Sequence, residues 1–145
     1  MDIGFGMHLT VFTDYGLRSL MYVGAHPDRL CSVKEISEYY GISRNHLVKV
    51  VHRLSQLGYI SSTKGNGGGI KLAQEPEKLK LGEIVTKLEP KTGIIECIDK
   101  NTKARRIMGT CQLKHYLGEA NTSFIDTLNK HTLADCIKDK NLFQV

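Results

Sequence analysis

Apolar residues recur at helical spacing through Leu9, Phe12, Gly16, Leu20 and Val23, and the pattern stops at His26-Pro27, where proline cannot continue a helix. A second, shorter helix is predicted after Ser32-Val33-Lys34-Glu35. That is a capping-box sequence: the serine hydroxyl accepts from a free backbone N–H while the glutamate reaches back. Val33, Ile36 and Tyr40 face inward on it, and Gly41 ends it as a C′ glycine does. Ser43 can cap a third helix, with Leu47, Val50, Val51, Leu54 and Leu57 along one face. Two short helices joined through a glycine turn predict a helix-turn-helix. The period then becomes extended. Residues 59–63 and 69–72 read as two strands, and Gly65-Asn66-Gly67-Gly68 supplies the positive φ angles of a hairpin tip. A hairpin directly after a helix-turn-helix is a wing. A flexible linker is the weaker reading, because β-formers flank the glycines on both sides.

After Pro76 the segment from Leu79 to Leu88 supports one short helix, closed by Glu89-Pro90. No clean periodicity runs from Lys91 to Thr110, which reads as a loop. Leu113, Tyr116, Leu117, Ala120, Phe124 and Leu128 then form a continuous apolar stripe that lapses near His131, where Thr132 can cap a last short turn. A helix this long leaves a second apolar face to cover, and a partner chain is the expected cover, which predicts a homodimer. Packing on its own winged domain is the other cover that the stripe allows. The expected fold class is mainly α with a small β wing. Its parts are a winged helix-turn-helix domain at 1–90, a cysteine-bearing sensor loop at 91–111, and a dimerisation helix with its C-terminal tail at 112–145.

Charge sharpens this picture. Between Ser43 and Gln74 lie Arg44, Lys49, Arg53, Lys64 and Lys71, with no Asp or Glu, and these cations equal the net charge of the whole 145-residue chain, +5. A basic helix and a basic hairpin make a surface for a polyanion. Arg44, Asn45 and His46, at the N-terminal end of the third helix, are the candidates for reading base edges. Arg can grip guanine and Asn adenine with paired hydrogen bonds. Lys49 and Arg53 are placed for phosphate, and Lys64 and Asn66 at the wing tip for the neighbouring minor groove. A solvated basic face is the alternative, and a protein-docking wing would ordinarily keep mixed charge.

Enzyme signatures are not found. GNGGGI breaks GxGxxG at its last position, no Walker lysine, GxSxG or HExxH occurs, and the six histidines show no metal-ligand spacing. No catalytic residue and no small-molecule substrate are expected. No apolar run is long enough to span a bilayer, and the start has no signal-peptide pattern, so no membrane partner and a bacterial-type cytoplasm are expected. Met7 leaves the start open, with residues 1–7 reading as an extension. Cys31 and Cys136 sit beside apolar residues and read as small core fillers. Cys97 and Cys111 flank a polar loop containing Lys103, Arg105 and Arg106, where positive charge favours thiolate. Two cysteines cannot fill a four-ligand site, so a metal or cluster there needs other ligands. The residues also allow two ordinary surface thiols.

The stretches LTVFTDYGLRSLMYV, ISEYYGISRNHLVKVVHRLSQLGYI, KGNGGGIKLA, GEIVTKLEP, CQLK and TLADC occur in one order along nearly the whole chain. In this the chain resembles the bacterial winged-helix regulators that include the iron–sulfur regulator IscR and the nitric-oxide-sensing repressor NsrR, and GISRNHLVKVV with the glycine-rich wing and LEP looks most like the NsrR branch. The resemblance implies a homodimer clasped by the long helix on a palindromic operator in double-stranded DNA, usually as a repressor. It also implies an iron–sulfur cluster. Cys97 matches the first cluster cysteine, Cys111 the last, and Asp14 the ligand supplied by the partner chain. The middle cysteine, expected around Thr102 to Arg106, is missing. Both 4Fe–4S and 2Fe–2S centres stay open, the latter using Cys97, Cys111, Asp14 and His8. A cluster-free regulator sensing by thiol oxidation, a protein-interaction or iron–sulfur accessory module, and a redox enzyme are the competing readings.

Overall fold

A computed structural model describes residues 9–90 and 112–143, without the side chains of Lys140 and Leu142. Helix α1 (Val11–Ala25) starts at Thr10, whose hydroxyl accepts from the Thr13 N–H at 3.2 Å. Thr10 is itself held from far along the chain. Its N–H donates to Glu89 Oε1 at 2.7 Å, and its hydroxyl lies 3.2 Å from the same oxygen. Helix α2 (Val33–Tyr40) has the predicted capping box, with Ser32 Oγ accepting from the Glu35 N–H at 3.0 Å and Glu35 Oε2 accepting from the Ser32 N–H at 2.8 Å. It ends on Gly41 in the left-handed region at φ 67°, and α3 (Arg44–Gln56) follows with Ser43 as its cap.

The wing is a two-stranded antiparallel sheet, β1 (Ile60–Thr63) and β2 (Gly69–Leu72), with Ile60 opposite Leu72 and Thr63 opposite Gly69. Gly65 and Gly67 take φ values of 95° and 77° at its tip, which side chains other than glycine resist. The wing does not hang free. Cys31 and Ile70 exchange both backbone hydrogen bonds, at 2.9 and 2.8 Å, so the α1–α2 connection adds a one-residue third strand. Gly69 is needed beside it, since a Cβ there would meet the Cys31 carbonyl oxygen at 2.7 Å.

One core joins these elements. Leu20, Ile36, Leu47, Val50, Leu54 and Ile84 are all fully buried within it. Helix α4 (Leu81–Leu88) begins two residues later than the apolar pattern predicts, after a 3-10 turn at Pro76–Lys78. Pairing across the fold is the reason. The Leu79 carbonyl accepts from the Leu133 N–H at 2.8 Å and the Leu81 N–H donates to the His131 carbonyl at 3.1 Å, which holds this stretch extended. The long helix α5 (Gln112–Leu128) contains no buried residue, and Leu113 and Tyr116 are each more than half exposed. Past it come α6 (Leu133–Cys136) and a 3-10 turn at Lys140–Phe143. Leu133, Ile137 and Phe143 return to the core of the winged domain, each burial contributing about 1.5–3 kcal/mol.

Helices α4 and α5 meet at Gly82, where α4 has no room for a side chain. A Cβ at Gly82 would collide with Asn129 Oδ1 and come within 2.5 Å of the Ile125 carbonyl oxygen. Asn129 Oδ1 meanwhile accepts from the Glu83 N–H at 3.0 Å, serving as the missing N-terminal cap of α4. Gly82→Ala is expected to lower stability by about 1–3 kcal/mol through overpacking. Urea unfolding at fixed protein concentration measures it, and an unchanged midpoint would mean that α5 is not seated on α4 in this way.

Candidate nucleic-acid interface

Four side chains fix how α3 is rotated. Leu47, Val50 and Leu54 are fully buried and Val51 nearly so. With 3.6 residues per turn, that choice sends two rows outward: Arg44, Val48 and His52 in one, Asn45, Lys49 and Arg53 in the other. All six are exposed. The outward face therefore carries three cations and an asparagine, with no acidic group in the first turn of the helix.

His46 sits differently from its neighbours. It is half-buried, and its ring meets that of Tyr15 on α1 edge-on at 4.9 Å between centroids. Among the expected readout residues, Arg44 and Asn45 are thus free on the outer face, whereas His46 is partly committed to α1. The sequence pattern gave no sign of this contact, because Tyr15 and His46 belong to different helices. Val48 was likewise passed over by the apolar periodicity. It is 53% exposed in the middle of the basic face.

Lys64 and Asn66 are exposed at the wing tip, and Lys71 is exposed on β2. Ser55 on α3 and Ser62 on β1 lie 3.4 Å apart between hydroxyl oxygens, and the Tyr59 N–H donates to the Leu54 carbonyl at 3.0 Å. The wing is therefore tied directly to the end of α3. Helix and wing are joined, and neither carries an acidic side chain.

The expected metal donors divide in two. Cys97, Cys111 and His8 lie outside the described residues. Asp14 is within them, on α1, partly exposed, with both carboxylate oxygens accepting from Arg18 Nε at 3.0 and 3.1 Å. Among the described residues no group of three or more His, Cys, Asp or Glu side chains could hold a metal ion. Cys31 and Cys136 are free thiols, buried and half-buried respectively. Burial pushes the Cys31 thiol up to about 11, helped by Glu35 and opposed by Arg29, and burial also raises Cys136. Thiols held neutral in this way are poor metal ligands, consistent with their reading as core fillers.

The family model described as Rrf2, iron-dependent transcriptional regulator, matches residues 9–139. The HTH-type transcriptional regulator NsrR of Bacillus subtilis (strain 168) is 46% identical over 135 residues, 92% of each chain. Its counterpart of the same name in Shouchella clausii (strain KSM-K16) is 40% identical over 136 residues, covering 93% of this chain and 91% of that one. Among solved structures, T. potens IscR superposes with a TM-score of 0.70 at 25% identity, over 97% of this chain and 93% of that chain.

The frame under the basic surface depends on Glu35. While Oε2 closes the capping box, Oε1 accepts from Tyr22 Oη at 3.0 Å and Arg29 Nη1 at 2.6 Å, joining α1, the α1–α2 connection and α2. Burial opposes ionisation here, but the Ser32 N–H, Arg29 and Tyr22 outweigh it and hold the carboxyl below the ordinary glutamate range. A carboxyl with a depressed folded pKa adds stability above its unfolded pKa, about 4.3, and that stability is lost as pH falls through the folded pKa. Glu35→Gln is expected to destabilise by about 1–2 kcal/mol at neutral pH. Thermal melts at decreasing pH should show the gap between the two proteins closing below the glutamate range; a gap independent of pH would remove the charge from this account.

Proposed function

The chain belongs to the Rrf2 family of iron-dependent transcriptional regulators, and we propose that it represses transcription by gripping duplex DNA with α3 in the major groove and the wing tip in the adjoining minor groove. It is a DNA-binding transcriptional regulator and not an enzyme. The observation that carries the finer reading is the exposed, acid-free surface shared by α3 and the wing. Arg44 and Asn45 meet base edges, Lys49 and Arg53 meet phosphate, and Lys64 and Asn66 follow the minor groove. His46 is the readout candidate whose seat is set by Tyr15 on α1.

The functional unit in this proposal is a homodimer on a palindromic operator. Its support is the stripe on α5, where Leu113 and Tyr116 stay exposed and no residue is buried. Two copies would cover that stripe mutually and place two α3 helices on successive half-sites. The bacterial cytoplasm is the proposed compartment; among the described residues no helix is long and apolar enough to cross a membrane.

For the signal, Cys97 and Cys111 together with Asp14 of a second copy are the proposed holders of an iron–sulfur cluster. Two thiolates and a carboxylate are a chemically suitable partial set for iron, and the missing middle cysteine leaves 2Fe–2S and 4Fe–4S as alternatives. Such a cluster, when bound, would supply an iron site open to nitric oxide or oxidants. The chain's own contribution is mechanical. Asp14 is one residue from Tyr15, and Tyr15 touches His46, so a displacement of α1 reaches the reading helix directly. That missing cysteine also supports a second reading, a cluster-free regulator in which Cys97 and Cys111 sense by thiol oxidation.

Fluorescence anisotropy of labelled duplexes tests the DNA reading. Replacing Arg44 or Asn45 by Ala should relax sequence preference by about 1–3 kcal/mol, whereas Lys64→Ala should weaken all duplexes alike and reduce the salt slope by about 1. Absence of any salt-dependent duplex binding would end this proposal. An absorption spectrum after anaerobic purification tests the cluster. Visible bands that disappear in Cys97→Ala support it, and a colourless sample containing no iron supports thiol sensing instead.

A further inference from the structure

The outward face of α3 has one member that neither charge nor hydrogen bonding explains. Val48 lies 53% exposed between Arg44 and His52 in one row, beside Asn45 and Lys49 in the other. Among the described residues, the other large hydrophobic side chains left exposed are Val11, Tyr39, Leu113 and Tyr116, which lie on α1, α2 and α5. Only Val48 falls within the acid-free basic block. It is not a core residue; Leu47, Val50, Val51 and Leu54 are the buried residues of the helix.

We infer that Val48 is a specificity-determining residue that selects a thymine by contact with its 5-methyl group. This rests on the reading that α3 enters the major groove. Of the four bases, thymine alone presents a methyl group there, and a branched apolar side chain is its complement. Valine suits the task because its χ1 is already restricted, so little rotamer freedom is lost on contact. Cytosine at the same place would set its exocyclic amino donor, and no methyl, near an apolar side chain that cannot accept a hydrogen bond. Asn45 lies three residues earlier on the same exposed face, within about 5–6 Å between Cβ atoms for such a pair. Stacked bases are about 3.4 Å apart along a strand. Asn45 and Val48 therefore reach neighbouring base pairs. With asparagine matched to adenine and valine to thymine, each half-site should contain a fixed A/T step.

The test begins with the full-length protein, purified anaerobically, and a random-sequence duplex pool from which it enriches its preferred site. In the enriched duplex each thymine is then replaced singly by deoxyuridine, which removes the 5-methyl and leaves pairing unchanged. For the unaltered protein, one position per half-site should lose affinity by about fourfold, the amount expected for one buried methyl. Because a homodimer carries Val48 on both half-sites, Val48→Ala should bind the thymine duplex about sixteenfold more weakly, about fourfold per half-site, and show no further loss with deoxyuridine at that position. Because Val48 is exposed, Val48→Ala should melt as the unaltered protein does, and Val48→Thr, which keeps one methyl, should retain part of the discrimination. If no position responds to deoxyuridine, or if Val48→Ala responds as the unaltered protein does, the inference is overturned while the DNA reading stands. If the pool yields no enriched duplex and no salt-dependent binding, the reading of α3 fails and this inference with it.

Discussion

The rotation of α3 is the constraint on which the rest depends. A helix has one axial freedom inside a small domain, and burying Leu47, Val50, Val51 and Leu54 together removes it. Turning the helix by one residue, about 100°, would expose part of that row and bury cations without partners, each a cost of several kcal/mol. The composition of the outward face is thus a by-product of core packing. Arg44, Asn45, Val48, Lys49, His52 and Arg53 are all exposed, so any of them can change without moving the helix.

Four acidic side chains serve backbone ends or a cation, and none of them lies on α3 or the wing. Glu35 closes the start of α2, Glu89 holds the start of α1, the Asp135 carboxylate accepts from the Thr132 N–H at 3.0 Å ahead of α6, and Asp14 is engaged by Arg18. Each lies where a free N–H or a neighbouring cation favours negative charge. Stability and electrostatic function thereby use separate sets of residues, and the basic surface is left without internal neutralisation.

What was legible in the sequence was local. The capping box at Ser32 and Glu35, the left-handed Gly41, the wing glycines and the one-sided apolar row of α3 each depend on a few neighbouring residues, so the residues alone announce them. What was not legible joins distant parts of the chain. Glu89 to Thr10, Asn129 to Glu83 and the pairing of Leu79 with Leu133 span tens of residues, and no periodicity records which ends will meet. The delayed start of α4 follows from the last of these. The contact of His46 with Tyr15 is of the same kind, and it changes the role that spacing alone would assign to that histidine. Cys97 and Cys111 stood out by their chemistry, with no local signal for how they are arranged.

The two attachments of α4 have an evolutionary implication. Its C-terminal end is pinned to α1 through Glu89, and its N-terminal end to the stretch after α5 through Asn129 and the Leu79–Leu133 pairing. The chain leaves α4 at Glu89 and comes back to it at Ile125 and Asn129, so both points are clamped onto the same helix. For a flexible connection, doubling the length adds only on the order of 0.6 kcal/mol of closure entropy. A change of chain length between those two clamps is therefore expected to leave the winged domain folded. Length between the clamps and the fold of the winged domain can thus vary independently, and selection can act on one without undoing the other.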